Sequence, residues 1–208
     1  SNLGGVRTSV TRASDCRVAG SQGGNLFGYR VRRCFDSLSS PFVRNSVELL
    51  VTGISHKRTP LDIRERVYFD ENNLQTPVSE LFARNSIEEA VLFSTCNRVE
   101  VYARAEEFEI ACQSIMEFFS QYHEVPQSIL KEHCYAMKTK EAVRHAFRVA
   151  SALDSMVIGE PQILGQVKAA YRTALEAGCT GVYLNQLFEK SFAVAKRVRT
   201  ETRIGENA

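Results

Sequence analysis

No stretch of this sequence approaches the roughly 18–20 consecutive apolar residues that a membrane-spanning helix requires. A soluble protein with no membrane partner is therefore expected. C-x-x-C occurs nowhere among the six cysteines, Cys16, Cys34, Cys96, Cys112, Cys134 and Cys179. No Cys/His pair has zinc-finger spacing either, which argues against a structural metal. Cysteines scattered in this way fit a reducing, cytosol-like compartment. No G-x-G-x-x-G follows a strand pattern and no G-x-x-x-x-G-K-[ST] is present. The residues at hand thus contain no dinucleotide or P-loop phosphate motif. Without G-x-S-x-G, a Ser-His-Asp hydrolase is also set aside. No repeat period is visible, and a net charge of +2 is too small to announce nucleic acid.

What is present fits one domain with an appended segment: 208 residues, 44% hydrophobic and 24% charged. Residues 1–46 stand apart as an Arg-, Ser- and Gly-rich arm. They carry Arg7, Arg12, Arg17, Arg30, Arg32, Arg33 and Arg44 against only Asp15 and Asp36. A weakly ordered arm is expected, with a targeting segment as the alternative. From Val47 the pattern sharpens. VELLVTGI (47–54) and EEAVLFST (88–95) read as buried strands by β-branched content and length. RVEVYAR (98–104) alternates Val99, Val101 and Ala103 against Arg98, Glu100, Tyr102 and Arg104, the pattern of a half-buried strand. CYAMK (134–138) is a fourth strand. Helices are expected after Pro60, near Pro77, over 106–122, and through KEAVRHAFRVASALD with Thr139 as its cap. The order is β-α-β-β-α-β, an α+β fold of the ferredoxin-like open-faced sandwich type. Residues 47–158 form that domain and residues 159–208 a helical segment. The chain stops just after a long helix, as a domain cut from something longer would.

Three stretches hold candidate chemistry. Cys96 sits in Thr95-Cys96-Asn97-Arg98 at the end of an apolar strand. A buried cysteine packs as a small hydrophobe. Polar neighbours suit an accessible nucleophile instead, and a guanidinium nearby favours the thiolate. Arg98 could equally grip a substrate carboxylate bidentately, and Asn97 with the turn amides could hold an oxyanion. His145 lies to one side of the apolar face formed by Val143, Ala146, Phe147, Ala150 and Leu153, and could move a proton near neutral pH; His56 is a loop rival. In SMVIGEPQILGQ (155–166), Pro161 fits the first helical position, and Gln162 and Gln166 share a helix face beside a helix start. These residues leave two alternatives to an enzyme of this kind. One is a tRNA- or partner-binding module with an inert cysteine, the other a Cys/His thiol hydrolase.

GISHKRTPLDIRERVYF (53–69), LFSTCNRVEVYA (92–103) and ASALDSMVIGEPQILGQVKAAY (150–171) together resemble the glutamyl-tRNA reductase family. KRVRTET (196–202) resembles the helix leading to that family's next domain. The resemblance covers residues 47–208. It implies that Cys96 attacks the ester of glutamyl-tRNA, forming a thioester that NADPH on a separate domain reduces to glutamate-1-semialdehyde, for tetrapyrrole synthesis. It implies roles for Thr95, Asn97 and Arg98 in substrate binding, with Arg98 on the glutamate side-chain carboxylate. His145 would be the activity-critical histidine, and Ser155, Glu160, Pro161, Gln162 and Gln166 further substrate contacts. Residues 159–208 would complete the pocket and lead to the NADPH domain, so no NADPH is expected on the residues present here. A homodimer through a further C-terminal domain is implied. So is a cytoplasmic setting, or a plastid one if residues 1–46 are a targeting sequence.

Overall fold

The computed structural model describes residues 48–204. The expectations for residues 1–46, with Cys16 and Cys34, and for Val47 lie outside the described residues.

Four strands form one antiparallel sheet: β1 (Glu48–Ser55), β2 (Glu89–Thr95), β3 (Arg98–Ala105) and β4 (Tyr135–Lys138), in the order β2-β3-β1-β4. Between β1 and β2 run helix α1 (Leu61–Arg66), a 3-10 turn at Glu71–Asn73 and α2 (Gln75–Phe82). Between β3 and β4 run α3 (Phe108–His123) and α4 (Gln127–His133). The α+β fold and its β-α-β-β-α-β order are as the sequence predicts. Helix α4 was not anticipated, because seven residues are too few to display a helical period.

Three more helices follow: α5 (Lys140–Ala150), α6 (Pro161–Glu176) and α7 (Val182–Glu201). Pro161 opens α6 at its first turn as expected. Thr139 makes no side-chain cap on α5; its backbone N–H goes to the Leu49 carbonyl at 2.6 Å, which ties the helix start to β1. Helix α5 also ends at Ala150, short of the expected Asp154, as the backbone turns left-handed at Ala152 (φ 55).

The register assigns the two faces of the sheet. Tyr102 pairs with Val51 and Val91, so these residues share a face. Its ring meets Phe188 of α7 edge-on at 5.4 Å and stacks near His145 of α5 at 6.4 Å. Ser94 points the other way, and its Oγ accepts from the Phe69 N–H at 3.0 Å; Phe69 stacks on Phe118 of α3. Helices α2 and α3 thus cover one face, while α5 and α7 cover the face that the bare β-α-β-β-α-β unit leaves open. This corrects the half-buried reading of β3: Arg98, Glu100 and Tyr102 are buried, just as Val99 and Val101 are. Fully burying one large apolar side chain contributes about 1.5–3 kcal/mol, so Phe93, Phe119 and Phe188, all within 1% of full burial, anchor the layers.

Two further details fix the frame. A Cβ at Gly53 would lie 2.0 Å from the Val99 carbonyl oxygen, so β1 and β3 approach closely only because position 53 is glycine. Buried Glu89, at the start of β2, accepts the N–H groups of Tyr183 (3.2 Å) and Leu184 (2.7 Å). A carboxylate from a distant strand therefore satisfies the free donors at the start of α7.

Candidate active site

Cys96 and Asn97 are the two turn residues of the β2–β3 hairpin, with Thr95 and Arg98 paired across its base. Neither turn residue has a positive φ. The turn is held from within by the Thr95 hydroxyl, which accepts the N–H groups of Asn97 (3.3 Å) and Arg98 (3.2 Å). It is held from outside by β1 and α1. The His56 N–H donates to the Asn97 carbonyl at 2.8 Å. Arg64 donates through one guanidinium nitrogen to the Cys96 carbonyl and to Asn97 Oδ1 (3.3 Å), while its Nε reaches the Thr59 carbonyl at 3.2 Å. The carbonyls of both turn residues are thereby occupied. The Cys96 side chain is left exposed, whereas Cys112, Cys134 and Cys179 are buried.

A cleft of about 480 Å³ opens on the thiol, lined by Thr95, Cys96 and Gln166 together with Leu61, Arg64, Glu65, Tyr68 and Glu71. Of the residues singled out in the sequence, three therefore share one cavity wall. Asn97 sits at its rim on Arg64. Glu160, Pro161 and Gln162 cluster at the start of α6, where Arg199 of α7 donates to the carbonyls of Glu160 (3.4 Å) and Pro161 (2.8 Å). The Gln162 amide is engaged with the Glu160 carboxylate, and Gln166 reaches Glu71 at 3.5 Å. A carboxylate at this helix start disfavours an anion there. Ser155 is half-buried in the segment joining α5 and α6.

Arg98 and His145 lie elsewhere, in a buried polar cluster under the hairpin. Arg98 is 3% exposed. One guanidinium nitrogen donates to Glu100 Oε1 at 2.7 Å, and the other to the backbone carbonyl and carboxylate (3.2 Å) of Asp154. Glu100 is fully buried and also accepts from Tyr102 (2.6 Å), Tyr135 and His145 Nε2 (2.9 Å). His145 is thus on the buried face of α5 rather than beside it, because α5 packs alongside α7 against the polar face of the sheet.

The electrostatics agree with these contacts. Burial pushes the Glu100 carboxyl upward, but the Arg98 guanidinium and His145 outweigh it and hold the group well below the usual carboxylate range. Burial also opposes the Arg98 charge, and Glu100, both tyrosines and Asp154 overcome it. Tyr102 and Tyr135 are raised well above their ordinary value by burial and by Glu100, so both stay protonated and donate. Burial would raise Asp154 too, but Lys57 and Arg98 lower it. An ionised carboxylate only accepts hydrogen bonds. His145 must therefore carry a proton on Nε2, and Nδ1 is the nitrogen that would take another.

The sequence pointed to Cys96, Thr95 and Gln166 but not to Arg64, Glu100 or Asp154. Arg64 lies in a strongly charged helix that reads as surface. Glu100 sits on a stripe that looks solvated. Asp154 is a loop acid that gains meaning only once the chain has folded Arg98 against it.

Fold and site together define an α+β domain that presents a solvent-facing thiol on a braced hairpin turn, above a buried charge network. A family model for the N-terminal domain of glutamyl-tRNAGlu reductase matches residues 52–202. The chain belongs to the glutamyl-tRNA reductase family. It is 47% identical over 162 residues to a glutamyl-tRNA reductase of Trichlorobacter lovleyi, covering 78% of this chain and 37% of that protein. Against the glutamyl-tRNA reductase of Marinomonas sp. the identity is 45%, covering 76% of this chain and 37% of the relative. The solved glutamyl-tRNA reductase from Methanopyrus kandleri matches with a TM-score of 0.57 at 34% identity, over 74% of this chain and 35% of that one. The chain spans about 37% of the length of the curated relatives it matches.

Proposed function

We propose that this domain performs the acyl-transfer half of a glutamyl-tRNA reductase reaction. The Cys96 sulfur attacks the ester carbonyl of glutamyl-tRNA. A sulfur–carbon bond forms, the ester carbon–oxygen bond breaks, and the ribose oxygen leaves with the proton the thiol gave up. The glutamyl thioester is then a substrate for hydride, and its reduction gives glutamate-1-semialdehyde for tetrapyrrole synthesis. The observation that carries this reading is the exposure of Cys96 alone among the described cysteines, on a turn that opens into the cleft. That exposure counts against a packed, inert cysteine.

Thr95, Asn97 and Gln166 would supply polar contacts around the acyl group, with Ser155, Glu160, Pro161 and Gln162 as further substrate contacts from the segment that leads into α6. Arg98 already holds Glu100 on one nitrogen and, on the other, the carboxylate of Asp154. The substrate's side-chain carboxylate would replace it there, while Lys57 and Arg148 keep Asp154 on its other oxygen. An uncharged analogue could not take the place of the Asp154 carboxylate on Arg98, which would discriminate against it. His145, with Nε2 fixed by Glu100, would take the thiol proton at Nδ1 and pass it on to the leaving ribose oxygen.

The family resemblance implies NADPH as the hydride donor. The described residues do not fit it: the sheet is wholly antiparallel and no glycine-rich strand-to-helix turn leaves it. Reduction and dimer contacts are assigned to the further length of the relatives, in a cytoplasmic enzyme; among the described residues no helix is long and apolar enough to cross a membrane.

The test is to mix the 208-residue chain with glutamyl-tRNA and measure intact and peptide mass. A glutamyl adduct on Cys96, lost in Cys96→Ser, is expected. An adduct that persists in Cys96→Ser overturns the assignment. Turnover of simple glutamate esters with no dependence on the tRNA portion would favour a thiol hydrolase instead.

A further inference from the structure

Attack on an aminoacyl ester creates a second product that the cleft must house. The leaving group is the terminal adenosine of the tRNA, joined to the attacked carbonyl through one oxygen. The wall of the cleft beyond Cys96 contains Leu61, Arg64, Glu65, Tyr68 and Glu71, none of them in the set that the resemblance assigns.

Two of these are large apolar side chains left open, Leu61 at 54% exposure and Tyr68 at 40%. Tyr68 is not on a loose segment. It stands between Val67 and Phe69, which are 0% and 2% exposed. The Phe69 N–H is bonded to Ser94 on β2, and its ring stacks on Phe118 at 5.9 Å. The backbone is therefore pinned on both sides of Tyr68, and the exposed phenol lines the cleft. The charge on this wall is mixed. Arg64 is spent on the Cys96 turn, and two carboxylates, Glu65 and Glu71, lie beside it. That composition gives the wall no cluster of cations for phosphate and suits a neutral aromatic base with hydroxyl and amino donors.

We propose that Tyr68, with Leu61 at its edge, is the subsite for the terminal adenine of the ester's leaving nucleoside, which stacks on the exposed ring. This rests on the acylation reading above and deepens it: Cys96 sits at the junction of an acyl subsite and a nucleoside subsite. Base–aromatic stacking needs an accessible π-face, which the exposed Tyr68 offers.

Two measurements on the 208-residue chain test it. The sequence contains no tryptophan, so Tyr68→Trp introduces a single indole. Adenosine is expected to quench its fluorescence saturably and ribose 5-phosphate is not; a linear quench, or an equal quench by both, overturns the subsite. The second compares the rates at which Cys96 is acylated by glutamyl-adenosine and by the methyl ester of glutamate. Tyr68→Ala should lower the ratio of the two rates by about 5- to 150-fold, and Tyr68→Phe should keep it. A ratio unmoved in Tyr68→Ala, with both rates falling alike, would mean a structural role only and overturn the proposal. If neither ester acylates the wild-type chain, the acylation reading fails, and the adenosine quench still decides whether the subsite exists.

Discussion

Arg98 and Glu100, two residues apart on one face of β3, meet at 2.7 Å with their side chains 4% and 0% exposed. Such a pair does little net work for stability compared with an apolar pair of the same shape, yet breaking it leaves a buried charge without its partner. Glu100→Gln should therefore destabilise the domain by about 3–5 kcal/mol in chemical denaturation. The pH dependence follows with the same sign. The folded Glu100 carboxyl lies below its unfolded value, so its contribution is complete above the ordinary carboxylate range near pH 4 and is lost as pH falls further. Wild type should lose stability more steeply than Glu100→Gln on acidification below that range.

A second pH response belongs to His123. Burial lowers it from 6.5 to about 4, its Nε2 is buried without a partner, and its ring packs edge-on against Phe69 at 4.3 Å. The unfolded chain takes up the proton first, so stability is full above about pH 6.5 and falls between there and about pH 4. His56 is lowered as well, by burial and by Arg98 and Lys57, and acts with the same sign in any comparison. His123→Phe should flatten the thermal midpoint against pH between 6.5 and 4, the range those values mark. A profile parallel to wild type would refute the assignment.

Thiol chemistry should be selective. Burial raises the Cys134 thiol to about 12 and raises Cys179 also, which leaves little reactive thiolate at neutral pH. Brief iodoacetamide treatment of the native chain, followed by peptide mapping, should label Cys96 ahead of Cys112, Cys134 and Cys179. Labelling of all four at equal rates without denaturant would contradict the burial described.

Arg64 braces the Cys96 turn without belonging to it. Its contacts with the Cys96 carbonyl and Asn97 Oδ1 are hydrogen bonds from a charged donor, about 1.5–3 kcal/mol each. Arg64→Ala should slow acylation of Cys96 by roughly ten- to a hundred-fold, the factor one such bond represents. Arg64→Lys, which keeps the charge but not the fork, should recover part of that rate. Loss of folding, read by circular dichroism, would move the role of Arg64 from the turn to the core.

Local pattern revealed the strands, the hairpin turn and the start of α6. What a residue faced was harder to read. Arg98-x-Glu100-x-Tyr102 has the period of a strand exposed on one side, and nothing within β3 says that α5 and α7, some 40 to 100 residues later in the sequence, will cover it. His145 looked peripheral for the same reason: its partner Glu100 is contributed by a different element. The thiol at position 96 was legible because polar turn residues around it are a local signal. Arg64 was not, since its target carbonyls carry no side-chain signature.

Strand β2 has a grip at one end and an exposed thiol at the other. Glu89 clasps the start of α7, and six residues on, about 20 Å at strand spacing, Thr95 anchors the turn that carries Cys96. A β-strand does not stretch. The start of the 20-residue α7 and the exposed thiol therefore hang from opposite ends of one strand, itself paired along its length with β3.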